Sequence, residues 1–175
     1  MNSPGSYPSD PSIPSSDRLV ELLGIEPISW GEGRSELALT VDDRHLRNLP
    51  ILHGGVTATL LDSALGVAAN TVAPTDRLTV TAQLNINFIR PAFPGERLLA
   101  TGQVRHSGRQ SVVVTGEVRC KSGELVATAS GTFLFTDVPD VPDVPDVPDV
   151  PDTADDSNAS ETPAGHPAAS DEDPA

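Results

Sequence analysis

A glycine pair and one acidic residue stand out in a single apolar stretch of the chain, residues 54–70. Gly54 and Gly55 open the stretch directly after His53, and Asp62 lies near its middle. Because the stretch is rich in Ala and Leu and too long for one strand, we predict a helix. The N–H groups of a first helical turn suit an oxygen that gains negative charge. A carboxylate on the same face can act as base or nucleophile, so the stretch outlines acyl-transfer hydrolysis.

Small and polar residues form a stripe along this predicted helix at spacings of three and four. The stripe consists of Gly55, Thr59, Asp62, Ser63, Gly66 and Asn70. A carboxylate in the middle of a buried helix is costly unless something uses or pairs it. Two simpler interpretations stay open at this point: the stripe faces water, or a nearby arginine pairs with Asp62.

The remaining pattern predicts one curled antiparallel sheet around the helix. The predicted elements are a short helix at 18–23, a strand at 35–41, the long helix at 54–70, and strands at 78–89, 97–106, 110–120 and 125–135. The strand at 78–89 alternates apolar and polar residues strictly over most of its length. We predict that the last four strands form an antiparallel meander, which the earlier strand completes. One long helix against one sheet is an α+β fold.

The acidic charge of the chain is concentrated at one end. The 175 residues carry a formal net charge of -14, but residues 1–136 hold 13 acidic and 11 basic side chains. Residues 137–175 hold 12 acidic side chains, no Lys or Arg, and five Val-Pro-Asp repeats. A proline at every third position forbids helix and leaves little to bury. We therefore predict a domain at 17–136, a disordered N-terminal segment at 1–16 and a disordered acidic tail at 137–175.

Composition also excludes several classes of function. A deficit of Lys and Arg disfavours nucleic acid and anionic membranes as partners. A single cysteine, Cys120, excludes an internal disulfide framework, and the histidines other than His53 have no Cys or acid at metal-ligand spacing: His45, His106 and His166. The N-terminal residues lack the charged and apolar regions of a secretory signal. We therefore expect a metal-free, cytoplasmic protein.

The motif around the glycine pair resembles a known family. The run L-H-G-G-V-T-A-T-L-L-D-S-A-L-G-V-A-A at 52–69 is similar to the signature of hotdog-fold acyl-CoA thioesterases of the PaaI-like, phenylacetate-degradation type. The acid follows the histidine by nine residues, as in that family. The resemblance continues through L-N-I-N-F-I-R-P at 84–91, P-G-E at 94–96 and R-H-S-G-R-Q at 105–110. It implies a hotdog fold, in which the sheet wraps the long helix, over residues 17–135.

The resemblance also implies roles for individual residues. Asp62 is the expected catalytic carboxylate, which attacks the thioester carbonyl or activates a water molecule. The N–H of Gly54, with Gly55 beside it, is expected to polarise that carbonyl. His53 shapes the site, and Thr81 occupies the family's Ser/Thr position that orients water. The family builds each site between Asp62 of one subunit and Gly54 of another, in homodimers that usually pair into tetramers, and it uses no cofactor beyond the coenzyme A of the substrate.

The loop before the histidine departs from the family pattern. Members commonly have Asn or Gln six residues before the histidine and Gly three residues before it, whereas this chain has Arg47 and Pro50. Asn48, one place late, is the candidate for the missing substrate contact. Three arginines at or near strand ends are candidates for binding the phosphates of coenzyme A. They are Arg90, Arg105 and Arg109.

Other residues have simpler expected roles, and two other functions remain open. Trp30 and the four phenylalanines are expected to pack the core, with Phe88 or Phe93 as a possible wall of an acyl pocket. Cys120 is expected to be a buried or edge thiol. The alternative enzyme is a hotdog enoyl-CoA hydratase or dehydratase that uses His53 with Asp62. The alternative without catalysis is an acyl-CoA-binding or sensor domain.

Overall fold

The computed structural model describes residues 17–137. Its elements are helix α1 (Arg18–Leu22), strands β1 (Glu26–Gly31) and β2 (Arg34–Thr40), a 3-10 turn (Asp43–His45), helix α2 (Gly54–Asn70), and strands β3 (Arg77–Phe88), β4 (Arg97–Ser107), β5 (Ser111–Cys120) and β6 (Leu125–Asp137). The predicted disordered segments at 1–16 and 138–175 lie outside the described residues. Asp137, which we assigned to the tail, is the last residue of β6, with its Oδ1 3.3 Å from Nε of Arg77.

Six strands form one antiparallel sheet in the order β1-β2-β4-β5-β6-β3, and α2 packs against it. The buried face of α2 carries Thr57, Leu60, Leu61, Ala64, Leu65, Ala68 and Ala69. Two glycines of the sheet let the helix approach closely, because a Cβ at Gly102 would lie 2.6 Å from the carbonyl oxygen of Ala64. A Cβ at Gly116 would lie 2.5 Å from Cδ1 of Leu65. The predicted α+β hotdog architecture is confirmed, and α2 has the predicted bounds.

The predicted four-strand meander is wrong in one respect. Strands β4, β5 and β6 follow one another as hairpins, but β3 lies at the far edge of the sheet, beside β6. The connection from β3 to β4 is a proline-containing corner and not a hairpin turn. Its residues bond to the end of β2, through Gly95 N–H to Val41 O and Val41 N–H to Glu96 O. The corner therefore carries the chain across the sheet, and β4 begins beside β2.

Strand β1 is absent from the sequence prediction. Its sequence, E-P-I-S-W-G, does not alternate, and it holds a proline, which is rare inside sheets. The strand forms nevertheless, because it lies at the sheet edge, where an absent N–H costs nothing. A bulge between Pro27 and Ser29 shifts its register against β2.

A β-bulge divides β3 into two halves. Thr81 lies opposite Phe133 of β6, but Gln83 lies opposite Thr132, so Ala82 is an extra residue on β3. Residues directly opposite each other in a ladder share one face of the sheet. The extra residue therefore reverses which residues face the helix. Thr79 and Thr81 face α2 before the bulge, and Leu84, Ile86 and Phe88 face it afterwards.

Neither helix in residues 17–137 is both long enough and apolar enough to cross a membrane. Within the same residues, no group of three or more His, Cys, Asp or Glu side chains is arranged to hold a metal ion.

Candidate active site

His53 caps the N-terminus of α2 with its own side chain. Its Nδ1 accepts a hydrogen bond from the N–H of Gly55 at 2.9 Å. Because Nδ1 is the acceptor, the neutral imidazole carries its proton on Nε2. A Cβ on residue 55 would lie 2.9 Å from Nδ1, so any larger residue there would displace the His53 ring from this position. The predicted contribution of the Gly55 amide to an oxyanion site is therefore not supported, because that amide is already bonded to His53.

The N–H of Gly54 is the open donor of this helix end. Beyond Gly55, the N–H groups of Val56 and Thr57 both donate to the carbonyl of His53. Gly54 is the first helical residue, so its N–H has no acceptor within the helix, and no acceptor for it is found within residues 17–137. This single amide, and not a glycine pair, is available to a bound oxygen.

A cleft of about 300 Å³ lies beside Gly54. It is lined by Ile51, Leu52, Gly54, Thr57, Phe88, Ile89, Arg90, Pro91, Ala92 and Val126. A Cβ at Gly54 would lie 3.6 Å from the Phe88 ring, so the ring forms the wall next to the open amide. From the sequence, Phe88 or Phe93 is the expected wall residue; Phe88 lines the cleft and Phe93 does not, whereas residues 89–92 of the corner line it without having been predicted. The only sequence signal for this part of the wall is the pair of apolar residues on either side of Arg90.

Asp62 is half-buried on α2, and Thr81 holds its carboxylate. The Thr81 hydroxyl donates to Oδ1 of Asp62 at 2.9 Å, and no cation pairs with Asp62 among the described residues. The arginine partner that we had left open is therefore absent from this part of the chain. The bulge after Thr81 makes the contact possible, because it turns that residue towards the helix.

Asp62 and the open amide of Gly54 lie too far apart within one chain to act on one carbonyl group. Eight residues separate them on α2, which corresponds to about 12 Å along the axis at 1.5 Å per residue. A reacting atom needs both groups at about 3 Å. His53 precedes Asp62 by nine residues, or about 13.5 Å along the axis, so one chain does not form the His-Asp pair of the hydratase alternative.

The three candidate arginines differ in what they bind. Arg90 is committed to the corner that follows β3: it bonds the Glu96 carboxylate at 2.9 Å and the Pro91 carbonyl at 2.7 Å. The hydrogen bond with Glu96 raises the pKa of the Arg90 guanidinium and lowers the pKa of Glu96. Arg90 therefore stabilises the cleft wall, and its predicted role with phosphates is not supported. Arg105 is exposed and bonds Thr115 at 2.6 Å, whereas Arg109 is exposed at the β4–β5 turn.

The remaining predicted residues have mixed outcomes. Asn48 is exposed in the loop before α2, and no hydrogen bond joins it to the site within residues 17–137. Cys120 is buried, as expected, and its hydrogen bond with Ser122 lowers the pKa of the thiol. Phe133 packs in the core, but Phe88 and Phe93 are 60% and 45% exposed, which contradicts a core role. Phe88 is the last residue of the edge strand β3, and Phe93 lies in the corner after it.

Comparison with known proteins identifies the family of the chain. The thioesterase superfamily model matches residues 49–127, which include His53, Gly54, Asp62 and Thr81. Over 115 residues, 66% of this chain and 80% of the relative, the chain is 35% identical to the acyl-coenzyme A thioesterase PaaI of Escherichia coli (strain K12).

Solved structures give the same result. The structure of the E. coli PaaI protein from the phenylacetic acid degradation operon superposes with a TM-score of 0.65 at 33% identity, over 69% of this chain and 85% of that one. The smu.793 protein of Streptococcus mutans UA159, solved with bound acetyl CoA, gives a TM-score of 0.60 at 29% identity, over 65% and 89%. The chain therefore belongs to the thioesterase superfamily, among its PaaI-like members with the hotdog fold.

Proposed function

We propose that this protein hydrolyses acyl-CoA thioesters to the free acid and coenzyme A. The observation that carries the proposal is Asp62: a carboxylate in the middle of the central helix that is held by one hydroxyl group and, among residues 17–137, by no cation. Its position and the open Gly54 amide suit attack on a polarised carbonyl. Membership of the PaaI-like group supports the same reaction class.

The proposed reaction begins with the thioester oxygen on the Gly54 N–H. Asp62 either removes a proton from a water molecule that attacks the carbonyl carbon, or attacks that carbon itself and forms an anhydride that water then hydrolyses. In both routes a new C–O bond forms, the C–S bond breaks, and the sulfur leaves as the thiolate of coenzyme A, which takes up a proton from solvent. Because a thiolate is a good leaving group, the proposal requires no metal or redox cofactor.

The active unit in this proposal is a homodimer, or a tetramer made of two dimers. The separation of about 12 Å between Gly54 and Asp62 requires that one protomer supply the amide and another the carboxylate. Two features of the chain support such pairing. The polar stripe of α2 is left half-buried or exposed by its own sheet, and no strand among residues 17–137 pairs with the outer edge of β3.

The cleft beside Gly54 is the proposed acyl pocket. Its lining is almost entirely apolar, and Phe88 lies beside Gly54, where the acyl chain attached to the carbonyl carbon would begin. At the other end of the substrate, Arg109 and Arg105 are the proposed ligands of the coenzyme A phosphates, because neither forms an ion pair within residues 17–137. A substrate built on coenzyme A also goes with our expectation of a cytoplasmic location.

Release of free thiol from a panel of acyl-CoA substrates tests the proposal. We expect the wild-type protein to hydrolyse at least one acyl-CoA, and Asp62→Asn to lose nearly all of this activity with an unchanged unfolding temperature. Asp76→Asn, at an exposed position before β3, is the matched control and should behave as wild type. An equally slow wild type and mutant would contradict the catalytic role of Asp62. Water addition to an enoyl-CoA, or tight binding without turnover, would contradict hydrolysis itself.

Mixing two inactive variants tests the shared site. Asp62→Asn keeps the Gly54 amide, and Gly54→Pro keeps the carboxylate but removes the N–H. If each site combines two protomers, a randomly re-associated mixture contains one intact site in each mixed dimer, and we expect about a quarter of the wild-type activity. A site contained within one chain would give no recovery.

A further inference from the structure

The sequence of β3 favours a register that the structure does not adopt. Between residues 78 and 88 the even-numbered positions are apolar throughout, so an uninterrupted strand would turn all of them towards the helix. The bulge at Ala82 prevents this in the first half of the strand. As a result, Val80 faces outward with 45% of its surface exposed, and Thr79 and Thr81 face the helix. Something must hold the first half of β3 against the preference of its apolar side chains.

Asn70, the last residue of α2, makes the required contact. Its Oδ1 accepts two hydrogen bonds from Thr79, one from the backbone N–H at 3.0 Å and one from the hydroxyl at 2.7 Å. Thr79 is two residues before Thr81 and on the same face of the sheet. Helix α2 and β3 are thus joined at two points eight residues apart on the helix, by Asn70 and by Asp62.

The bond to the Thr79 backbone also fixes the edge of the sheet. Phe135, opposite Thr79 in the ladder, donates its N–H to Gln110 on the β5 side. Thr79 and Phe135 are therefore a non-hydrogen-bonded pair, and the Thr79 N–H points away from β6, towards the free edge. Asn70 reaches that edge and occupies the donor. A slip of one residue would place Thr79 on the opposite face, where Asn70 could accept neither bond.

We propose that Asn70 is a positioning residue for the Asp62–Thr81 pair. By holding Thr79 it keeps the bulge between Thr81 and Gln83, and so keeps the Thr81 hydroxyl on Asp62. The inference rests on the proposed function, since the Asp62 carboxylate matters only if the protein hydrolyses thioesters. The other contact at this end of the strand, Arg77 with Asp137, is an exposed pair and contributes little.

Kinetics of thiol release on the full chain test the role of Asn70. Asn70→Ala removes both bonds, and we expect kcat to fall about tenfold with KM changed less than about twofold. Asn70→Asp keeps an acceptor oxygen and is expected to restore most of kcat, even though a negative charge at a helix C-terminus is unfavourable for stability. Asn87→Ala, in the same strand but on the outer face, is the matched control and should equal wild type.

A double-mutant cycle with Thr81→Val separates positioning from a general loss of structure. If Asn70 acts through Thr81, then Asn70→Ala should have no further effect on kcat once the Thr81 hydroxyl is gone. The proposal would be overturned if the effects of Asn70→Ala and Thr81→Val on kcat multiply in the double mutant. It would also be overturned if Asn70→Asp is as slow as Asn70→Ala. Thr79→Val, which removes only the hydroxyl donor, gives a milder second test if Asn70→Ala unfolds. A wild-type protein that releases no thiol would instead refute the proposed function.

Discussion

The substitution Gly54→Pro removes the N–H of residue 54 and should leave helix α2 intact. Gly54 is the first residue of α2, where proline is favoured because the N–H has no helical partner and the fixed φ suits the helix. The preceding residue, His53, has φ -68° and ψ 131°, in the extended region that a following proline requires. The helix should therefore form normally, and the open amide should be gone.

The expected loss follows from that single donor. Because the Gly55 N–H is bonded to His53, no second amide of this turn is available to take over. Removing one oxyanion donor costs about 2.7–4 kcal/mol of transition-state stabilisation, or about 10²–10³-fold in kcat. Gly54→Ala is the matched control, because alanine keeps the N–H and its Cβ would lie in ordinary contact, 3.6 Å from the Phe88 ring.

Thiol release under substrate saturation measures kcat for both variants, and thermal unfolding checks that α2 is intact. We expect the proline variant to be at least about a hundredfold slower than the alanine variant, with unfolding temperatures that agree within a few degrees. If the two variants have kcat values within threefold of each other, the carbonyl oxygen does not rest on this amide. A second donor would then have to be sought elsewhere at the protomer interface.

Three further outcomes can be tested. Gly55→Ala should displace the His53 ring and cost up to about 1 kcal/mol of cap stabilisation, partly offset by the higher helix propensity of alanine. The unfolding temperature should therefore change little, whereas the NMR shifts of the His53 ring should change clearly. Glu96→Gln should destabilise by about 1 kcal/mol at pH 7. Arg90 holds the pKa of Glu96 below its ordinary value of about 4.3. The difference in unfolding free energy between wild type and variant should therefore be complete above about pH 5 and disappear as the pH falls through the lowered pKa of Glu96. Urea unfolding at several pH values measures it. Deletion of residues 138–175 should leave kcat and the unfolding temperature unchanged if the acidic tail is a spacer.

Periodicity predicted most of the fold but could not predict the bulge. The long helix of Ala and Leu and the Val- and Thr-rich strands bury one face each, and such elements follow from hydrophobic spacing alone. The same spacing is misleading for β3, where strict alternation would place Thr81 on the outer face with Asn85 and Asn87. Only the resemblance to the family assigned Thr81 to the site. The hydrophobic pattern also could not predict the strand that pairs with β3, because a proline-containing corner is compatible with more than one neighbouring strand.

The exceptions to local rules in this domain all concern residues of the proposed site. A carboxylate in the middle of the central helix, a bulge that turns an apolar residue outward, and a glycine at position 55 beside the histidine cap are each less stable than the regular alternative. All three act on Asp62, Thr81 or the Gly54 amide. A sequence selected only for stability would have an apolar residue at 62 and an uninterrupted β3, so the simplest physical reason for the exceptions is the chemistry they position. The same reasoning gives Asn70 its role, since the bulged register needs a bond that the core does not supply.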